Sequence, residues 1–96
     1  MSKIKVGFIG AGFISQVAHL PNYIDNDLCD VVALAELRPS LGHKVCTKWN
    51  IPYFFDNHTD LLNEPSIDAV VAVVRRHHTA PIALDIIQSN KHLFTE

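Results

Sequence analysis

Val6-Gly7-Phe8-Ile9-Gly10-Ala11-Gly12-Phe13-Ile14-Ser15 decides how the rest of the chain is read. Ile4 to Ile9 is a short apolar run entered past Lys3 and Lys5, which fits a strand buried on both faces. Gly10 suits a tight turn at the strand's end, and Gly12 has no side chain to keep the backbone away from an approaching group. A helix opening near Phe13 and Ile14 aims unpaired N–H groups and its positive dipole end at the same place, where an anion is favoured. Ser15 stands where a third glycine gives the closest packing of helix on strand, and serine is small enough to serve.

The pattern continues outward in regular alternation. Phe13, Val17, Leu20 and Ile24 recur at helical spacing and predict one apolar stripe, with Pro21 forcing a kink or restart within residues 19–22. Residues 30–35 are an apolar, β-branched run that ends abruptly at Glu36, a second strand with an acid at its tip. Pro39 suits the first turn of a helix carrying Leu41, Val45 and Trp49 as far as Asn50, and Gly42 weakens that helix by about 1 kcal/mol. Residues 52–55 read as a short third strand at an edge; Thr59 is expected to cap a brief helix bearing Leu61 and Leu62, which Pro65 closes. Residues 68–74 are the most strand-like of all. Thr79 is expected to cap the next helix, with Pro81 in its first turn and Ile82, Ala83, Ile86 and Ile87 on its buried side; Asn90 suits a left-handed terminus, and His92 opens a fifth strand. Such alternation implies right-handed crossovers and an α/β fold, a Rossmann-like doubly wound parallel sheet of strand order 3-2-1-4-5, with residues 1–96 as one domain truncated after strand 5.

Composition removes several function classes. A net charge of −2, a pI near 6.3 and the lack of a basic run argue against a nucleic-acid partner. Cys29 and Cys46 stand apart, without a Cys-x-x-Cys pair, which suits free thiols in a reducing cytosol and hence a cytoplasmic protein. His77 and His78, adjacent in what reads as an extended loop, do not converge on one ion, so no metal site is expected. The first residues start a strand and no apolar run nears the ~18 residues of a membrane span, so no membrane partner is expected.

A glycine pair alone marks many ordinary turns. Here it follows a strand, opens a helix and is followed by a second strand ending in an acid, the combination that holds a dinucleotide's pyrophosphate. The Glu36 carboxylate can then accept hydrogen bonds from the adenosine ribose of NAD and repel the 2′-phosphate of NADP; the plainer reading is a solvated acid at a strand end. Arg38 can stack on the adenine or pair with that phosphate, so NAD is favoured and NADP stays open. Arg75, Arg76 and His77 follow the fourth strand, beside the switch point between strands 1 and 4, where they face either a ligand or only solvent. His19 reads as a structural hydrogen-bonding residue.

At Gly10-Ala11-Gly12-Phe13-Ile14-Ser15, His19-Leu20-Pro21, Glu36, Ser66-Ile67-Asp68-Ala69-Val70 and Asn90-Lys91-His92-Leu93-Phe94-Thr95-Glu96, the chain resembles one family over essentially its whole length. That family is the NAD(P)-dependent oxidoreductases of the glucose-fructose oxidoreductase, inositol dehydrogenase and rhizopine-catabolism (Gfo/Idh/MocA) type, and the match is to their N-terminal domain. The resemblance implies cofactor contacts at Gly10, Gly12, Phe13, Ile14, Glu36 and Arg38. It extends them to Val74, Arg75 and Arg76, where the family usually carries Thr-Pro-Asn, to His77 just after, and to Glu96, which matches the glutamate of a Glu-Lys-Pro segment. The lysine of that segment is a principal active-site residue, and the family's remaining catalytic Asp and His positions lie in a separate substrate domain. No catalytic residue is therefore assigned within these 96 residues, which are expected to bind cofactor without turnover. The parent is expected to move a hydride between nicotinamide and a sugar-like or polyol carbon, and a homo-oligomer stays open. The rival expectation is a non-catalytic nucleotide-sensing or interaction module that pairs through the exposed strand at residues 93–95. A methyltransferase on a similar sheet is weaker, since Phe8 and Ile9 occupy the place of the acid such proteins carry before the glycine loop.

Overall fold

β-Branched and small apolar residues cluster in three runs that become the inner strands of one parallel sheet, and two short aromatic-bearing runs become its edges. The structure, a computed structural model, describes residues 3–95. The strands are β1 (Ile4–Ile9), β2 (Cys29–Ala35), β3 (Tyr53–Phe55), β4 (Ala69–Ala72) and β5 (His92–Thr95), and they lie in the order β3-β2-β1-β4-β5. Strand order and α/β class are those expected from the alternation.

Successive side chains on a strand point to opposite faces, and here the two sets build two separate cores. Val6 and Phe8 of β1 join Leu34 and Val71 on one face, while Ile9 joins Ala33, Ala35, Val70 and Ala72 on the other. The first face is covered by α1 (Leu20–Ile24) and α2 (Pro39–Trp49), through Leu20 and Val45. The second is covered by α3 (His58–Leu62) and α4 (Arg76–Gln88), through Leu61, Leu62 and Ile86. Central strands buried on both faces leave their carboxyl ends as the open rim where loops meet, which is the place such sheets hold ligands.

Several local expectations are corrected. Residues 15–19 form a π-helix running directly into α1, with the Leu20 N–H donating to Ser15 O, five residues back. The extra residue in that turn rotates everything before it, so the buried positions are Ser15 and Leu20. Phe13 and Val17, placed on the inner stripe by a uniform helical period, are instead 75% and 56% exposed. The restart expected around Pro21 occurs at the π-to-α change, with Pro21 in the first turn of α1.

α3 is capped by Asn57, whose Oδ1 accepts the Asp60 N–H at 2.9 Å, and Thr59 lies inside the helix. α4 likewise starts earlier than expected: Arg75 is its N-cap, Thr79 and Pro81 are interior, and Ile87 is exposed while Ile86 is buried. β4 is shorter than residues 68–74, and just before it the Asp68 carboxylate accepts the Lys5 N–H at 2.9 Å. Gly42 has a packing reason to be glycine, since a Cβ there would lie 2.1 Å from Cε1 of Phe54 on β3. Asn50 and Asn90 take the left-handed conformation after α2 and α4, at φ 57° and 62°.

Candidate cofactor site

The glycine turn leaves β1 between β2 and β4, and hydrogen bonds to both neighbours fix it. The Gly10 N–H donates to Ala35 O and the Val73 N–H donates to Ile9 O, each at 2.9 Å. Gly10 has φ +99°, and a Cβ there would stand 2.2 Å from Val73 O, so handedness and space both demand glycine. Val74, half-buried in the second core, presents Cγ1 at 3.4 Å from that same Cβ position.

Gly12 is different. A Cβ built there meets nothing within 4 Å, so the protein itself leaves this approach open. The N–H groups of Gly12, Phe13 and Ile14 donate to no acceptor among the described residues, and the Gln16 N–H is the first of this helix to find one, Gly12 O at 3.0 Å. Unpaired donors at the positive end of a helix, next to open space, favour an anion. Ser15 is fully buried behind them, with its Oγ making no hydrogen bond among the described residues.

Ala11 was not singled out by sequence, yet it links the turn to the acid. Its N–H donates to Glu36 Oε1 at 2.9 Å, and its carbonyl accepts Gln16 Nε2 at 2.8 Å. The Glu36 side chain is only 6% exposed. Its Oε2 accepts the Arg38 backbone N–H at 2.9 Å and Arg38 Nε at 2.8 Å, while Oε1 also receives Arg38 Nη2 at 3.3 Å. Burial acts to raise the Glu36 pKa. The Arg38 side-chain bond, the Ala11 and Arg38 N–H donors and the guanidinium charge outweigh it and hold the carboxyl below its ordinary value. The small residue between two glycines is the sequence signal that marks Ala11, whose methyl group is fully buried in the first core while its backbone makes both bonds. Gln16 and the Val73 carbonyl left no comparable signal.

Arg75, Arg76 and His77 do not form an extended loop. Arg75 caps α4 and the next two residues make its first turn, with the His78 ring tilted at 45° against that of His77 at a centroid separation of 4.0 Å. All four are exposed, that turn holds no acidic residue, and neither arginine forms an ion pair among the described residues. Glu96 lies outside the described residues. Among those described, no three His, Cys, Asp or Glu side chains converge as a metal site would require, and no helix is long and apolar enough to cross a membrane. A cleft of about 730 Å³ lined by His43, Asn50, Tyr53 and Phe54 sits at the β3 edge, away from the glycine turn.

Residues 4–96 match the oxidoreductase family with an NAD-binding Rossmann fold, Gfo/Idh/MocA. The chain belongs to that family. An α-N-acetylgalactosaminidase of Shewanella oneidensis is 30% identical over 105 residues, covering all of this chain and 23% of that relative. A glycosyl hydrolase family 109 protein of Shewanella baltica matches at the same 30% identity over the same shares. The chain thus spans about a quarter of the length of the curated relatives it matches. Among solved structures, scyllo-inositol dehydrogenase from Lactobacillus casei, holding NAD(H) and scyllo-inositol, superposes with a TM-score of 0.90 at 20% identity over 98% of this chain and 28% of the other. A 3-ketoreductase from Actinomadura kijaniata in complex with NADP gives 0.91 at 22% identity over 98% and 29%. At such identities these two likenesses establish the Rossmann fold.

The turn fits the dinucleotide to which the Gfo/Idh/MocA family owes its description. The room left at Gly12 and the unpaired N–H groups of residues 12–14 match a pyrophosphate in shape and charge. Gly10 and Ala11, each tied to a neighbouring strand's end, hold that cradle in place.

Proposed function

We propose that this chain is the cofactor-holding domain of an oxidoreductase acting on a sugar-like or polyol carbon. The carrying observation is the run of three N–H groups, Gly12 to Ile14, without acceptors at a turn whose outer side is open. In this reading the pyrophosphate lies against those N–H groups, Glu36 and Arg38 meet the adenosine side, and Val74, Arg75, Arg76 and His77 border the nicotinamide side together with Glu96. Bound nicotinamide supplies a hydride acceptor or donor. The chain's own residues bind, orient and neutralise, and none of them is assigned the proton transfer that hydride transfer to a hydroxyl-bearing carbon requires. A sugar-like substrate agrees with a relative named for N-acetylgalactosamine and with a neighbour that holds scyllo-inositol.

Calorimetric titration of the 96-residue chain with NAD and NADP should give saturable heat with at least one of them, and the same chain should reduce neither in the presence of inositol. Heat with neither cofactor overturns the binding reading, and steady NADH formation overturns the lack of turnover. A second reading rests on β5, an edge strand carrying the half-exposed Phe94: a module that pairs through this edge. Self-association without any cofactor heat would favour it.

A further inference from the structure

Glu36 is the residue an adenosine ribose would ordinarily meet, and its carboxylate is already fully engaged. A carboxylate offers about four acceptor positions. Here four donors fill them: the Ala11 N–H, the Arg38 N–H, Arg38 Nε and Arg38 Nη2. The side chain is 6% exposed, so it reaches a ribose hydroxyl only by releasing one of those donors. Its position is also set from two directions, by the glycine turn on one side and by its own loop on the other.

Arg38 shows the opposite pattern. Its side chain is 62% exposed, and two of the guanidinium's five N–H groups are directed to Glu36 by the Nε and Nη2 bonds, leaving the others available. Anchored on a buried carboxylate, the guanidinium has lost part of the rotational freedom that weakens exposed ion pairs. The charge at the end of β2 is therefore that of a neutral pair with its cationic member outward, and not that of a bare carboxylate.

We infer that Arg38, positioned by Glu36, reads the 2′-position of the adenosine ribose, and that this domain accepts a 2′-phosphate there, binding NADP at least as tightly as NAD. This rests on the cofactor reading above and adds to it the residue that sets cofactor choice. Glu36 acts as a positioning residue: it holds Arg38 outward and the Ala11 N–H in place, and the cofactor's phosphate meets the guanidinium alone.

The experiment is parallel calorimetric titration of the 96-residue chain with NAD and NADP, for the parent, R38A and R38K, each checked for native circular dichroism. The parent is expected to bind NADP with an affinity equal to or above that for NAD. R38A should shift the ratio of NADP to NAD affinity roughly tenfold or more toward NAD, since it removes a charge-assisted fork from the 2′-phosphate and uncovers the carboxylate. R38K, which keeps the charge without the planar fork, should recover part of the NADP loss. A parent that binds NAD measurably more tightly than NADP overturns the inference, because that is the behaviour of a free carboxylate repelling phosphate. Equal losses for both cofactors in R38A overturn it as well, since they reduce Arg38 to a structural support. Absence of heat with either cofactor in the parent removes the cofactor reading itself and the inference with it.

Discussion

Replacing Glu36 by Gln tests the clamp through stability, with no cofactor present. The amide keeps the shape and can still accept the Ala11 N–H, but its NH2 group then faces the Arg38 N–H and Nε, donor against donor. Turning a charged acceptor for the Ala11 N–H into a neutral one costs about 0.5–1 kcal/mol. Leaving the Arg38 N–H and the new amide badly matched costs about another 1–2 kcal/mol. The guanidinium itself contributes little to the loss, because Arg38 is 62% exposed and water replaces its partner. The expected deficit is about 1.5–3 kcal/mol at neutral pH, or a fall in Tm of about 6–24 °C for a domain of this size.

The same variant carries a pH signature. Glu36 has a folded pKa below its unfolded value, so its contribution is fully present above the unfolded pKa and drains away as pH falls through the folded one. Urea titrations of the parent and E36Q should therefore show a gap at about pH 7 that narrows as the pH falls through the folded-state pKa of Glu36, where the parent's carboxyl becomes protonated as well. A gap below about 0.5 kcal/mol at neutral pH, or one unchanged by acid, would refute the reasoning that places the charge of Glu36 at the centre of the turn.

Two further substitutions probe the frame. G10A is expected to leave little folded protein by circular dichroism, because it adds about 1–2 kcal/mol of left-handed strain to a Cβ built 2.2 Å from the Val73 carbonyl, a backbone atom held by the sheet; a two-state urea curve like the parent's would contradict this. N57A should cost about 1 kcal/mol in urea denaturation as the loss of an N-cap, whereas T59A should stay within about 0.5 kcal/mol; the reverse order would restore Thr59 as the cap.

The legible parts of this fold are those in which one residue type answers one backbone demand. Gly10 marked the turn because φ +99° excludes nearly everything else, and Asn90 marked the end of α4 for a similar reason. The apolar runs marked β1 and β4 because central parallel strands bury both faces. Helix starts were less legible. Thr79 and Pro81 together look like a cap and first turn, but α4 begins at Arg76, without a side-chain cap bond to advertise it, and carries Pro81 in its interior. The π-turn was hidden for a different reason: Phe13, Val17, Leu20 and Ile24 satisfy an undisturbed helical period, and nothing in that spacing records an inserted residue. Burial of Ser15 and Leu20, five apart, replaces it.

Glu36 combines both situations. An acid at the tip of a second strand is visible in the sequence, and its customary role follows from the strand before it. What its neighbours do is not visible, because Arg38 lies two residues away along the chain while the Ala11 N–H lies twenty-five away, and the two converge only once β1 and β2 pair in parallel. The register that sets Ile9 beside Ala35 brings the residues after each strand together, Gly10 and Ala11 from one and Glu36 from the other. A carboxylate placed there is drawn first to the N–H donors the fold supplies, since a buried charge without them is far costlier than one left facing water. Only the valence left over is available to a ligand, and at this site that valence belongs to Arg38.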